Sequence, residues 1–425
     1  MKDYIVFWFS QAVSRLGSSM TEYALIIWSF GETQSALTVS LLTFCSFVPY
    51  IIVSLFAGSF VDRHSKKKIM VISDSLAAAC SFVVLVFMVT GGLKIWHIYL
   101  VNLIEGAMNS FQSPASSVAI GMMVPMEEQE RASGLESFSD NLVTVTAPML
   151  AGGLLSVVGL QGVVMIDLIT FFFAVFVLWF GVSIHEKIEV KSVTKKKLFD
   201  GLQEGLQFLQ YHRGILGIMI TMACINFFSR LTYENILSPM LLARSGGNNA
   251  VFGLVSGMLG AGGIIGGLVV SIKKTSTNHL KMIYYSAGIS FLLGDLLMGL
   301  GRNVVAWSIA GLAASIPIPF IMAAQRVILY ENVPQNMQGR IFAVRNAIQY
   351  ITIPFGIILG GVLADYVFEP MMGSGSKLAD FLQVLVGKGS GSGMAIMFLC
   401  TGIMGSLVSI LGYHNKSVQS LQQSK

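Results

Sequence analysis

Charged residues are scarce in this chain. Only 12% of its 425 residues are Asp, Glu, Lys or Arg, whereas 54% are hydrophobic and the mean hydropathy is +0.72. A typical soluble domain carries about 25% charged residues. The composition therefore excludes an ordinary soluble protein. The net charge of +5 gives no indication of nucleic-acid binding, because the basic residues lie in the loops between hydrophobic runs, and we expect no nucleic-acid partner.

Residues and motifs that carry catalysis are also few. The four cysteines lie far apart inside apolar segments and suggest no disulfide. The six histidines lie in loops or at the ends of hydrophobic segments, and no two have the spacing of a metal-ligand pair. The phosphate-binding pattern GxxxxGK(S/T) does not occur. These absences argue against an enzyme, a metal site or ATP-driven transport, and we expect no cofactor.

Long hydrophobic runs are what the chain has in abundance. A helix needs roughly 20 apolar residues to cross the hydrocarbon core of a bilayer. We therefore predict an all-α membrane protein with twelve transmembrane helices. Their approximate ranges are 4–30, 37–61, 69–91, 96–120, 136–158, 162–184, 215–242, 250–272, 281–300, 303–330, 342–367 and 394–413.

Basic residues are distributed unevenly among the loops between these runs. With the N-terminus in the cytoplasm, the inner loops carry the Arg63–Lys68 cluster, the 187–213 segment and the tail, together with several single basic residues. The outer loops carry only Lys94, Arg244, Arg302, Lys377 and Lys388. Because lysine and arginine concentrate on the cytoplasmic side of membrane proteins, we predict that both termini are cytoplasmic.

The longest polar break divides the chain into two halves. We predict an N-terminal six-helix bundle at 1–184, a cytoplasmic linker at 185–214 and a C-terminal six-helix bundle at 215–425. Leucines at helical spacing within the linker predict an amphipathic helix at the membrane interface. They are Leu198, Leu202, Leu206 and Leu209.

The two halves also share short sequence matches, which occur in the same order. The matches are Gln11-Ala-Val-Ser-Arg15-Leu16 with Asn226-Phe-Phe-Ser-Arg230-Leu231, Val124-Pro125 with Val333-Pro334, and Thr146-Ala-Pro148 with Thr352-Ile-Pro354. Such repeats indicate two pseudo-symmetric bundles. Transporters built from parallel repeats bind their substrate near mid-membrane, between the two halves.

One motif stands out between the second and third predicted helices. The apolar run contains Gly58, ends in Asp62-Arg63 and continues into a basic turn that includes Lys67. It resembles the Gly-x-x-x-Asp-Arg-x-Gly-Arg-Lys/Arg motif of the major facilitator superfamily, although Ser65 replaces the second glycine and Lys66 replaces the arginine.

The resemblance covers residues 4–413 and is closest to the branch that holds macrolide-efflux and siderophore-exporting permeases. Besides the basic turn, it rests on the opening run FSQAVSRLGSSMTEYALIIWSFGETQSAL and on the Phe111–Ala115 and Val333–Phe342 segments. It implies the major facilitator fold. It also implies a conformational latch at the cytoplasmic face that stabilises the outward-facing state. The residues of this latch are Gly58, Asp62, Arg63 and Lys67.

The fifth predicted helix carries a form of the Gly-Pro-x-x-Gly-Gly motif of the family's exporters. Pro148 and Gly152 match that motif, Ala147 and Ala151 replace two of its glycines, and Gly153 follows directly as the last residue of this exporter-like motif. The resemblance thus implies an antiporter. The arginine of the family's fourth helix is missing, since Asn102 or Glu105 stands in its place, so the coupling role of that arginine does not transfer to this chain.

Ionisable residues inside the predicted helices are the candidates for transport chemistry, because each costs about 2.5–3.5 kcal/mol at mid-bilayer on insertion scales. One face of the first helix carries Gln11, Arg15, Ser18 and Glu22. One face of the seventh carries Asn226, Arg230, Tyr233 and Glu234.

We predict that Glu22 or Glu234 performs proton coupling and cation recognition, tuned by the neighbouring Arg15 and Arg230. The alternative is a structural ion pair on each helix, Arg15–Glu22 and Arg230–Glu234. Glu105 can have a functional role or form an interhelical bond. The remaining aspartates at the outer parts of the helices are interpreted as structural. They are Asp167, Asp295 and Asp365.

Together these features predict a secondary active transporter in a bacterial cell membrane. We expect efflux of a drug-like or amphipathic small molecule by alternating access, with the proton gradient as the energy source. The expected partners are the small-molecule substrate, protons and the lipid bilayer, and the expected assembly is a monomer. The alternatives are an uptake permease for a small polar nutrient and a membrane receptor or structural protein that does not transport.

Overall fold

The computed structural model of the protein describes residues 2–125, 128–181, 206–272 and 278–423, and the regular structure in these ranges is entirely helical. The helices before the central break are α1 (Lys2–Thr33), α2 (Ala36–Arg63), α3 (Lys66–Val89), α4 (Ile95–Met123) and α5 (Gln129–Phe176). The helices after it are α6 (Arg213–Thr232), α7 (Leu237–Arg244), α8 (Asn249–Ile272), α9 (His279–Ile289), α10 (Leu296–Leu300), α11 (Val304–Ser315), α12 (Ile318–Asn332), α13 (Gln335–Leu363), α14 (Glu369–Gly373), α15 (Lys377–Val386), α16 (Ser392–His414) and α17 (Lys416–Gln423). π-Helical turns at Val177–Gly181, Ser290–Asp295 and Ala364–Phe368 continue α5, α9 and α13.

The twelve predicted spans correspond to these helices. Helix α5 holds two of them, because Gly159 breaks it with φ 66 and ψ 179, a conformation open to glycine. Four further spans are each built from two consecutive helices. The seventh consists of α6 and α7, the ninth of α9 and α10, the tenth of α11 and α12, and the eleventh of α13 and α14. Within the described ranges, nine helical segments are long and apolar enough to cross a membrane by length and composition.

The repeated Val-Pro pairs end a helix in the same way in both halves. Val124 follows the last residue of α4 with φ −105 and ψ 123, and Val333 follows α12 with φ −115 and ψ 123. A residue before proline is driven into this extended region by the proline ring. The internal match in the sequence therefore reflects one local structure that is used twice.

The chain divides into two compact units. Unit 1 comprises residues 1–191 and 247–257, and unit 2 comprises residues 192–246 and 258–425. The beginning of α8 thus packs with unit 1, although it follows the central break in the sequence.

Unit 1 is held together by small and branched apolar side chains between its helices. Ala24, Leu42, Ile98 and Val163 come from α1, α2, α4 and α5, and each is almost completely buried in one cluster. Helices α2 and α4 approach closely at Gly106, where an added Cβ atom would lie 2.1 Å from the carbonyl oxygen of Ser46. A glycine is therefore required at this crossing.

Unit 2 has its own core, which extends into the predicted linker. Residues 206–211 are helical, and the side chain of Leu209 is buried in a cluster with Ile215, Met219 and Leu329. Leu209 therefore packs against protein, where the sequence predicted a membrane-interfacial helix. Leu198 and Leu202 of that predicted helix lie outside the described residues.

The close crossing of α2 and α4 makes a testable prediction for stability. We expect Gly106→Val to destabilise the protein by roughly 1–3 kcal/mol, because the new side chain forces the two backbones apart. Gly121→Val is the matched control, since Gly121 lies on the same helix and no atom lies within 4 Å of its added Cβ. Thermal unfolding of the detergent-solubilised variants measures the difference. Equal unfolding temperatures for the two variants would contradict the close contact.

Candidate functional site

The polar residues that share one face of α1 have different partners in unit 1. Arg15 turns to α5, where its guanidinium donates to Asp140 Oδ1 at 2.6 Å and to Ser139 Oγ at 2.7 Å. Its Nη2 also lies 3.6 Å from Glu136 Oε2. The ion pair of Arg15 therefore runs between two helices, and the suggested pairing with Glu22 along α1 is wrong.

Glu22 lies two turns farther along α1, beside the acids and amides of α4. It is exposed, and it lines a small pocket with Leu42 and Asn102. Asn102 Nδ2 donates to the carbonyl oxygen of Leu42 at 3.2 Å, which ties α4 to α2. Glu105, one turn after Asn102, is close enough to Glu22 for the two carboxylates to interact electrostatically. Two of the predicted coupling residues therefore lie together in unit 1.

Gln11 belongs to another polar cluster nearer the start of α1. Its side chain is 8% exposed and lies beside Asp74 of α3, which also neighbours Gln112 of α4. This cluster joins three helices through amides and one carboxylate. Among the described residues, Gln11 therefore has a different partner from Arg15.

Unit 2 keeps its candidate residues closer together. Arg230 and Glu234 form an ion pair along the seventh span, with 32% and 29% of their side chains exposed. Tyr233 points elsewhere, and its ring packs edge-on against Phe398 of α16 with the centroids 5.2 Å apart. Asn226 is half-buried on the same helix as Arg230. The Arg230–Glu234 contact of the sequence analysis is thus present.

Two buried aspartates have more elaborate surroundings than the sequence suggested. Asp167 of α5 accepts hydrogen bonds from Ser18 and Ser81, and Asp295 accepts one from Thr401. Both are at least 95% buried. From the sequence alone, both aspartates are predicted to be structural. The available signal was the position of Ser18, which faces the same side of α1 as the other candidates.

Only part of the predicted latch lies within the described side chains. Helix α2 ends at Arg63, and Ser65 then caps α3 by accepting a hydrogen bond from the Lys68 backbone N–H at 3.3 Å. Lys67 Nζ donates to the carbonyl oxygen of Trp179 at 3.2 Å, in the π turn after α5. The side chains of Gly58, Asp62 and Arg63 lie outside the described residues, so their latch role stays a prediction.

The exporter-like motif lies on α5 in contact with the start of α8. A Cβ added to Gly152 would lie 2.4 Å from the carbonyl oxygen of Asn249, and one added to Gly253 would lie 2.6 Å from that of Pro148. Gly153, the neighbouring motif glycine, has no atom within 4 Å of its added Cβ. Gly152 therefore makes the backbone contact, and Gly153 faces open space.

Comparisons with known proteins agree with this architecture. The sequence matches the family described as Major Facilitator Superfamily over residues 7–357. It is 24% identical to macrolide efflux protein A of Streptococcus pyogenes over 383 residues, which are 86% of this chain and 90% of that protein. It is 23% identical to the staphyloferrin A transporter of Staphylococcus aureus over 335 residues, which are 78% of this chain and 82% of that protein.

The fold is also found among solved structures. The crystal structure of a bacterial homologue of the iron transporter ferroportin, in its inward-facing state, is similar with a TM-score of 0.70 and 14% sequence identity. The similarity covers 97% of this chain and 99% of that one. The prediction of a twelve-helix major facilitator fold is confirmed, as is the resemblance to the macrolide-efflux and siderophore branch. The chain belongs to the Major Facilitator Superfamily and is a multi-pass membrane transporter for small molecules, not an enzyme.

Proposed function

We propose that this transporter exports an amphipathic, drug-like small molecule in exchange for protons. Transport proceeds by alternating access and draws its energy from the proton gradient across a bacterial cell membrane. The protein acts as a monomer with both termini in the cytoplasm. The relative named macrolide efflux protein A supports the direction and the class of substrate.

The observation that carries this proposal is the position of Glu22 beside Glu105 in unit 1. Two neighbouring carboxylates repel each other when both are ionised, so such a pair shares a proton more readily than two distant acids do. Arg15, the nearest basic residue along α1, is held by Asp140 and Glu136 on α5. The pair of acids can therefore exchange a proton or a cationic substrate without first breaking that ion pair.

The surroundings of Glu22 combine aliphatic and polar side chains, a mixture that is compatible with an amphipathic substrate. The pocket beside it is lined by Leu25, Ile26 and Leu42 and by two polar side chains, Thr43 and Asn102. Aliphatic side chains next to a carboxylate are the contacts that an amphipathic organic cation would make.

Accumulation of ethidium in bacterial cells tests the proposal. We expect cells that contain the protein to accumulate less ethidium than cells with the empty vector. Collapse of the proton gradient with a protonophore removes this difference, because the exchange then has no driving force. Higher accumulation in the cells that contain the protein would contradict export and favour the uptake alternative.

A further inference from the structure

Asp167 lies at the meeting point of three helices in unit 1. Ser18 Oγ on α1 donates to Asp167 Oδ1 at 2.9 Å, and Ser81 Oγ on α3 donates to Asp167 Oδ2 at 2.8 Å. The hydroxyl of Thr21, one turn beyond Ser18, lies beside the same carboxylate. Thr21 is 5% exposed, and its oxygen has no hydrogen-bond partner among the described residues. A carboxylate and three hydroxyl groups thus share one buried site.

Asp295 occupies a similar site in unit 2. It ends the π turn Ser290–Asp295, and Thr401 Oγ1 of α16 donates to its Oδ2 at 2.6 Å. The hydroxyl of Tyr233 lies beside the carboxylate and finds no other partner in the described part of the chain. π Turns inside α-helices occur frequently at functional sites. Here the π turn ends at Asp295, which lies beside Thr401 of α16 and beside Tyr233, the residue after α6.

The two sites are related by the internal repeat. When the two halves of the sequence are aligned so that Arg15 matches Arg230, Ser18 matches Tyr233. Shifting this alignment by one residue matches Ser81 with Asp295. The first, third and sixth spans of each half therefore surround a single carboxylate. The acid lies on the sixth span in unit 1 and on the third span of the second half in unit 2.

A glycine next to a hydroxyl residue makes room for each aspartate. A Cβ added to Gly17 would lie 3.2 Å from Asp167 Cα and 2.3 Å from Thr170 Oγ1. A Cβ added to Gly402 would lie 3.1 Å from Asp295 Cβ. These close approaches place the backbone of a neighbouring helix against both acids. The same arrangement thus occurs twice with different residues.

No lysine, arginine or histidine within the described residues forms an ion pair with Asp167 or Asp295. The titratable group that faces Asp167 is Glu105 on α4, which in turn faces Glu22 on α1 and Cys80 on α3. The group that faces Asp295 is Tyr233 on α6–α7. In the part of the chain that the structure describes, neither buried acid thus has a cation to neutralise its charge.

Hydroxyl groups can satisfy a carboxyl group in both of its protonation states. They donate to an ionised carboxylate and accept from the O–H of a neutral acid. In unit 1, Ser18 and Ser81 already donate, and the free oxygen of Thr21 can accept. In unit 2, Thr401 donates and the Tyr233 oxygen can accept. A proton that binds to either carboxylate therefore finds a hydroxyl oxygen beside it that can accept.

From these contacts we propose that Asp167 and Asp295 are a matched pair of proton-binding residues, one in each unit. A proton from water adds to one carboxylate oxygen, and the resulting O–H donates to Thr21 or Tyr233. In unit 1 the buried acid also lies within electrostatic range of Glu105, which is in turn within range of the exposed Glu22. A role of Asp167 and Asp295 in coupling depends on the proposed proton-driven export. Proton binding by the two residues does not depend on it.

Infrared difference spectroscopy tests proton binding without a substrate. The purified protein, in vesicles of phosphatidylcholine and phosphatidylglycerol, is titrated with acid and base while the C=O band of protonated carboxyl groups is recorded. We expect Asp167→Asn and Asp295→Asn each to lose one component of this band, and the double variant to lose both. Asparagine keeps the size of the side chain and an oxygen that accepts from Ser81 or Thr401.

Asp380→Asn on α15 is the matched control, because Asp380 is exposed and the band should keep both components. Ser81→Ala keeps Asp167 but removes one donor, so it should shift the midpoint of the Asp167 component and leave the Asp295 component in place. This variant serves if Asp167→Asn fails to fold. Bands that are unchanged in both asparagine variants would overturn the proposal.

The same preparations separate this inference from the proposed export. If the asparagine variants lose the two components of the carboxyl band but the wild type shows no gradient-driven ethidium transport, proton binding by Asp167 and Asp295 is supported and the proposed export is refuted. If the wild type transports ethidium but the carboxyl band does not change in either asparagine variant, the proposed export is supported and the proposed proton-binding residues are refuted.

Discussion

Replacement of Glu22 by glutamine is expected to stop gradient-driven efflux and to flatten its pH dependence, while downhill exchange of substrate continues. Glutamine keeps the shape of the side chain but cannot bind or release a proton. Glu234→Gln should have the same effect on coupling. It should also lower stability, because it removes the carboxylate partner of Arg230 from a half-buried ion pair. Ethidium transport in proteoliposomes, measured across a range of imposed pH gradients, gives both readouts.

Glu32→Gln is the control for the Glu22 substitution. Glu32 lies on the same helix, in its last turn, and its side chain is exposed. We expect this variant to keep wild-type efflux and pH dependence, so that loss of a negative charge from α1 alone is excluded as the cause. If the Glu22 and Glu234 variants, alone and combined, keep pH-dependent efflux, then coupling depends on other acids. Glu105 is then the next residue to replace, followed by the buried aspartates.

The helices were predictable because the bilayer imposes their length and composition. A spanning helix has no water to bind its backbone groups, so its apolar run must match the thickness of the membrane. The ends of helices were predictable where local chemistry decides them. Proline after Val124 and after Val333 forces the same extended residue, and the two helices end there. Helix ends of this kind are predictable because they depend only on residues that are adjacent in the sequence.

Side-chain partners were not predictable in the same way. The helical period places Arg15 and Glu22 on one face of α1, but it does not indicate which helix packs against each turn. Packing decides that Arg15 meets Asp140 on α5 and that Glu22 faces Glu105 on α4. In unit 2 the partners Arg230 and Glu234 are one turn apart on the same span. The Arg230–Glu234 pair could be predicted from the spacing of the two residues, because both lie on the same span and no second helix is involved.

The burial of a side chain is also difficult to predict from the sequence. Asp167 and Asp295 lie only about 12 Å and about 9 Å along their helices from Gly159 and Gly301, at 1.5 Å per residue. A position of this kind suggested a structural role near the membrane surface. The structure adds that hydroxyl groups from neighbouring helices contact each carboxylate. Those neighbours are distant in sequence, and the repeat connects them only after the helices have been placed.

The contact between α5 and the start of α8 leads to the second large effect. We expect Gly152→Val to abolish ethidium efflux and to destabilise the protein by roughly 1–3 kcal/mol. The valine side chain has no space beside the carbonyl oxygen of Asn249, and the backbone of Gly253 lies only slightly farther away. The two helices must therefore separate at the exporter-like motif, and residues 247–257 lose their packing in unit 1.

Gly153→Val separates this contact from a general effect of valine in the helix. Gly153 is the next residue of the same helix and the same motif, but it is exposed and its added Cβ meets no atom within 4 Å. Both substitutions change helix propensity by the same amount, so only the contact differs between them. We expect Gly153→Val to transport ethidium and to unfold at the wild-type temperature. Gly253→Val should reproduce the loss from the other helix, because its Cβ would lie 2.6 Å from the Pro148 carbonyl oxygen. Equal damage from the substitutions at 152 and 153 would show that the motif acts through helix stability and not through the approach of α8.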